Sequence, residues 1–147
     1  MREPGDSAGA TWVLSDAVVL ATARLSGTAD APASLWELIA NADAVFHLIP
    51  SADEIEAALS RLVGAGLVTV GDLGIHVERL GRELVARARG GADGDPMTRV
   101  VDLLGLLQHV PTEPMPWYLD RDVYEAVTLE YRHSLWETYR AGRRRRR

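Results

Sequence analysis

Most of the chain carries apolar residues at a helical period, and one short stretch carries them at a period near two. Val18, Ala21, Thr22 and Leu25 recur at i, i+3, i+4 and i+7, the spacing of a first amphipathic helix with one buried stripe. Ser15 is its expected N-cap, Asp16 sits at the positive end of its dipole, and Leu14 and Val19 are spaced as a hydrophobic staple. Gly27 ends this helix, and a polar loop containing Pro32 follows. Ser34 with Glu37, and Ser51 with Glu54, have the spacing of capping boxes. Each opens an apolar face. The second helix carries Leu35, Leu38, Ile39, Ala42, Val45 and Phe46; the third carries Ile55, Ala58, Leu59, Leu62 and Val63. Pro50 separates them, because it lacks an amide proton and pushes Ile49 toward an extended backbone.

Beyond Gly64-Ala65-Gly66 the period shortens. Val68-Thr69-Val70 is β-branched and suits a strand, Gly71-Asp72-Leu73-Gly74 supplies a turn, and residues 75–78 can pair back. Leu80, Leu84, Val85 and Ala88 predict a fourth helix. Asp95-Pro96 then stand as N-cap and N1 of a fifth, strongly apolar helix through Val100, Val101, Leu103, Leu104, Leu106 and Leu107. Pro111, Pro114 and Pro116 make the following stretch an extended connector. Asp120 or Asp122 opens a last helix reaching about Arg140, roughly 30 Å long at 1.5 Å per residue. Its stripe is Val123, Val127, Tyr131, Leu135 and Tyr139, with Trp117, Tyr124 and Trp136 alongside.

This order of elements resembles the winged helix-turn-helix superfamily over about residues 12–89. Two phrases carry the likeness. EIEAALSRLVGAGL (54–67) resembles the recognition-helix segment that leads into the first wing strand. ERLGREL (78–84) is similar to the T-x-x-G-R-x-L phrase after the wing in MarR-like and PadR-like transcriptional regulators, with Glu78 in place of Thr. The resemblance implies a mainly α fold with a small antiparallel β-wing, that is, a winged helix-turn-helix domain plus a C-terminal helical extension. It also implies that the third helix enters the major groove of double-stranded DNA. Helical periodicity puts Ala52, Asp53, Glu56, Ala57, Ser60 and Arg61 on its outward side.

Charge complicates that implication. The chain has 147 residues and a net charge of −5, and all 16 of its basic residues are Arg. Five form the run 143–147, so residues 1–142 hold 11 Arg against 21 acids, a net of −10. Within 51–63, Asp53, Glu54 and Glu56 face Arg61 alone. Nonspecific duplex affinity grows with the number of phosphates neutralised, so such a helix binds weakly by itself. The expected DNA contacts are Ser60, Arg61, Arg79 and Arg82, with Arg143, Arg144 and Arg145 adding sequence-independent attraction. An acidic motif helix equally suits a second use: a winged helix that recognises a protein partner or serves as scaffold, its acidic face docking a basic surface. A third is a regulator gated by a small molecule held between the domain and the aromatic helix.

Chemistry-bearing patterns are sparse. There is no Cys, and His47, His76, His109 and His133 are scattered without ligand spacing, so no metal site is expected. No nucleophile elbow, phosphate loop or dinucleotide fingerprint occurs. A non-enzymatic protein without cofactor is the expectation. No run approaches the 18 or so apolar residues of a membrane span, and the acidic, Pro-containing start is unlike a signal peptide, so a cytoplasmic location away from membranes is expected. The expected organisation is a disordered arm (1–10), a winged-helix domain (11–90), a linker (91–95), a helical extension that forms a homodimer (96–142) and a poly-Arg tail (143–147).

Overall fold

The computed structural model describes residues 11–27, 31–89 and 94–145. The expected arm, residues 91–93 of the linker and the last two Arg of the tail lie outside the described residues. In order, the elements are α1 (Leu14–Ser26), α2 (Leu35–Phe46), α3 (Ala52–Gly64), β1 (Val68–Gly71), β2 (Gly74–Val77), α4 (Arg79–Arg87), α5 (Pro96–Leu107) and α6 (Arg121–Arg145). Among the described residues this is a mainly helical fold with one small antiparallel sheet, in a winged-helix-like arrangement.

Helix α1 is the hub, packed against α2, α3, α4 and α5. Every residue from Asp16 to Ala23 is buried, whereas Leu25 is 59% exposed. The single-stripe expectation is therefore corrected. The sequence LSDAVVLATARLS is apolar on all sides, and a helix of that kind belongs inside. Its buried Thr22 is satisfied locally, the hydroxyl donating to the Val18 carbonyl at 2.7 Å. The N-cap is Val13, not Ser15, and the Asp16 carboxylate accepts the Val13 N–H at 2.9 Å. The acid, one residue past Ser15, reaches back to the chain and sets the boundary there.

The other helix starts follow the expected chemistry. Glu37 N–H donates to Ser34 Oγ and Glu54 N–H to Ser51 Oγ, both at 3.1 Å, while each Glu carboxylate receives its cap residue's N–H. Asp95 caps α5 through the Met97 N–H at 3.1 Å, with Pro96 at the first helical position. Between α2 and α3, His47 closes the earlier helix in the left-handed region at φ 53°.

The wing forms as its period of two requires. Val68 pairs with Val77, Thr69 with His76, Val70 with Ile75 and Gly71 with Gly74 around the two-residue turn Asp72-Leu73. Ala33 adds a bridge to Ile75. Glu78 stands at the N-cap of α4 without capping it by its side chain; its carboxylate accepts the Thr69 hydroxyl at 2.9 Å instead. Gly81 of the ERLGREL phrase lies where α4 passes Leu67, the residue before β1: a Cβ there would sit 2.5 Å from the Leu67 carbonyl oxygen. Leu80, expected inside, is exposed, and Leu84 and Ala88 take the buried positions. Val100, Leu103 and Leu107 of α5 join the same core as α1. Trp12 ties both ends of this assembly, its indole N–H donating to Val110 O at 2.9 Å while Gln108 donates to Trp12 O.

Candidate functional site

Helix α3 follows α2 as the second helix of the expected pair, so its outward face is where an interface was expected. The connector between α5 and α6 lies across that face. Ser60 Oγ donates to Met115 O at 2.6 Å, and Met115 N–H donates back to Ser60 O at 3.0 Å. Nearer the helix start, Glu56 accepts Leu119 N–H at 2.8 Å and Arg121 Nη1 at 3.0 Å, and the same guanidinium pairs with Asp53. At the far end, a Cβ on Gly64 would lie 1.9 Å from Glu113 O, so the connector passes where only glycine leaves room. The Pro-rich connector thus hydrogen-bonds along the helix from Glu56 to Ser60, with Arg121 at the start of α6 extending the contact to Asp53. The Leu119 N–H and Arg121 hold the Glu56 carboxyl below its ordinary range, and Glu56 in turn holds Arg121 above its own.

Arg61 points elsewhere. Its Nε and Nη2 reach Asp16 Oδ2 and Oδ1 at 2.9 and 2.8 Å, a bidentate pair with a carboxylate that is fully buried. Its side chain is 18% exposed, and its carbonyl accepts the Thr112 hydroxyl at 2.6 Å. The expectation that Ser60 and Arg61 stand free on an outward face is therefore corrected. Ser60 is held by the connector and Arg61 by the start of α1. Periodicity marked the side of α3 away from Ile55, Ala58, Leu59 and Leu62 without showing that the chain itself returns to cover it.

The remaining sequence-selected residues are more open. Arg79 is exposed and pairs with Glu83 at 3.0 Å, one turn along α4. Arg82 is half-buried and donates from Nη1 to Val77 O at 2.8 Å. Arg143, Arg144 and Arg145 are exposed on the last turn of α6, which runs past the expected end near Arg140. Cations there complement the negative end of the helix dipole. Arg143 lies 5.6 Å over the Tyr139 ring and Arg140 5.1 Å over Trp136, and these two rings stack at 5.7 Å.

Helix α6 has two halves. The first packs on α2: the Tyr131 hydroxyl donates to Asp43 Oδ2 at 2.6 Å, its ring meets Trp36 edge-on at 5.8 Å, and Tyr124 donates to Pro50 O at 2.7 Å. Burial, and then Asp43, push the Tyr131 hydroxyl up to about 12. From Arg132 to Arg145 every residue is exposed, Trp136 and Tyr139 by 51% and 54%. Of the expected stripe, Tyr131 is buried and Val127 half-buried, while Val123, Leu135 and Tyr139 are exposed.

Sequence reading missed Arg121, Glu56 and the Asp16 pair as organising groups. One signal was available: an extended Pro-rich segment must place its backbone donors somewhere, and helix α3 supplies acceptors. No group of three or more His, Asp or Glu side chains able to hold a metal ion occurs among the described residues, and none of the described helices is long and apolar enough to cross a membrane. No family model matches the chain, and neither the curated proteins nor the solved structures yield a match.

Proposed function

We propose that this chain is a non-enzymatic interaction module built on a winged-helix-like domain, with α3 turned toward its own connector and the projecting half of α6 offered to a second copy of the chain. The observation that carries this reading is the covered face of α3. Two of its three acids, Asp53 and Glu56, share the single cation of Arg121 of the same chain. Its single cation is spent on Asp16. Such a helix has no free positive charge to set a register on phosphates. The exposed Leu135, Trp136 and Tyr139 favour α6 as the contact, since aromatic residues are enriched in the buried centres of protein interfaces. Sedimentation equilibrium tests this: a dimer that Trp136→Glu with Tyr139→Glu converts to monomer is the expected result, and a monomer at ~100 µM wild-type chain, where even a weak association populates, overturns it.

The exposure of Arg79 and Arg143–Arg145 favours a second reading, binding of double-stranded DNA as in a transcriptional regulator. Fluorescence anisotropy with duplex at ~50 mM salt separates the two. On the proposed function, any affinity disappears when residues 143–147 are removed. Affinity that survives truncation and falls with Arg79→Gln would make the folded domain a DNA reader.

A further inference from the structure

A cavity of about 680 Å³ opens among α1, α2, α4 and α5. Phe46, Val100 and Leu103 are buried and form part of its apolar wall, and Arg24, Arg82 and Arg99 line it as well. Among the described residues no Asp or Glu lines it. Acids outnumber Arg by 21 to 16, and Arg61, Arg79 and Arg121 each have a carboxylate within 3.0 Å. The three Arg of the cavity have no ion-pair partner among the described residues. Arg82 donates to the Val77 carbonyl, and Arg99 donates from Nε to Ala88 O at 3.1 Å and from Nη2 to Val85 O at 3.3 Å. Those carbonyls fix the two guanidiniums in place and leave other N–H groups of each fork unused.

We propose that this cavity binds a small amphipathic anion, with an apolar body against Phe46, Val100 and Leu103 and a single carboxylate between the guanidiniums. The volume falls within the range of pockets that enclose small ligands, about 300–1,000 Å³, and the combination of an apolar wall with a few convergent polar groups is what such sites show. A carboxylate is the head group that the planar guanidinium fork matches best, through paired charge-assisted hydrogen bonds. A neutral head would leave those donors unmet in a partly dry setting, which costs affinity. The site joins α1 of the hub to α4 and α5, so its occupant would bridge the wing-side helix and the helix that precedes the connector.

The proposal is independent of what α6 or the tail binds. Isothermal titration of the full chain with decanoate and with 1-naphthoate, and with decanol as the neutral comparison, tests it directly. The expected result is saturable one-to-one binding of at least one acid, with decanol about tenfold weaker or more. Methyl shifts should centre on Val100 and Leu103. Arg24→Gln, at an exposed position with no core contact to lose, weakens the acid about fivefold or more, and Arg82→Gln does the same. Should Arg82→Gln fail to fold, Arg24→Gln alone decides. Absence of saturable binding by both acids at ~1 mM, equal affinity for decanol, or an unchanged affinity in Arg24→Gln each overturns the assignment.

Discussion

Replacing Arg61 by Met separates a structural role from a nucleic-acid role at the residue where the two readings diverge most. In the folded chain the guanidinium makes two hydrogen bonds to a carboxylate with no solvent exposure, 45 positions away in sequence. Met preserves much of the aliphatic stem and removes the charge. Among the described residues Asp16 then keeps only the Val13 N–H, at 2.9 Å, as a donor. Removing one member of a buried pair typically costs about 3–5 kcal/mol, because the other charge is left without compensation. Arg61 retains 18% exposure, so water can partly replace it and the lower end applies, about 3 kcal/mol. For a chain of this size that corresponds to roughly 10 °C in Tm. Urea unfolding followed by circular dichroism gives the number, with an unchanged slope showing that the same surface is exposed. The double variant Asp16→Asn with Arg61→Met should be more stable than Arg61→Met alone, since the amide can still accept the Val13 N–H and no unpaired charge remains. A loss for Arg61→Met within about 0.5 kcal/mol, the range of ordinary surface changes, refutes the reasoning.

Two further outcomes follow from particular contacts. Gly64→Ala places a methyl against Glu113 O and should displace the connector, costing about 1–3 kcal/mol and speeding amide exchange at Met115 and Leu119; protection at those amides equal to wild type would show the contact to be unimportant. Tyr131 has a folded-state value raised to about 12, so folding favours its protonated form. The stability this contributes is complete below the ordinary tyrosine value near 10 and is lost as pH rises through 12. Tyr131→Phe should lose about 1 kcal/mol at neutral pH, the worth of one hydrogen bond, and should show less decline between pH 10 and 12 than the wild type does; parallel curves would exclude the linkage.

The elements legible in the sequence are those whose causes lie within a few residues. Ser34 with Glu37 and Ser51 with Glu54 cap their helices because a side chain and an amide three positions apart meet whatever surrounds them. The switch to a period of two at Val68, with turn residues at Gly71 to Gly74, defines a hairpin for the same reason. Asp95-Pro96 opens α5 as local backbone geometry demands. Even locally, competition can mislead: Ser15 is a good cap, yet the Asp16 carboxylate reaches Val13 first.

Tertiary structure decided what each exposed-looking face meets. Periodicity reports which side of α3 is polar, and a polar side is indistinguishable in sequence from one facing solvent, DNA or another part of the chain. Here Ser60, Glu56 and Asp53 meet partners 55 to 68 residues further on, and Arg61 meets Asp16 45 residues back. In α1 the apolar residues on every side became a hub only because four other helices close around it. The cavity likewise exists only where α1, α2, α4 and α5 converge, gathering three Arg that are 17 to 75 positions apart. Hydrogen bonds of this kind depend on the relative placement of whole elements. No local pattern encodes that placement, because it is set by the burial of apolar surface summed over the entire core.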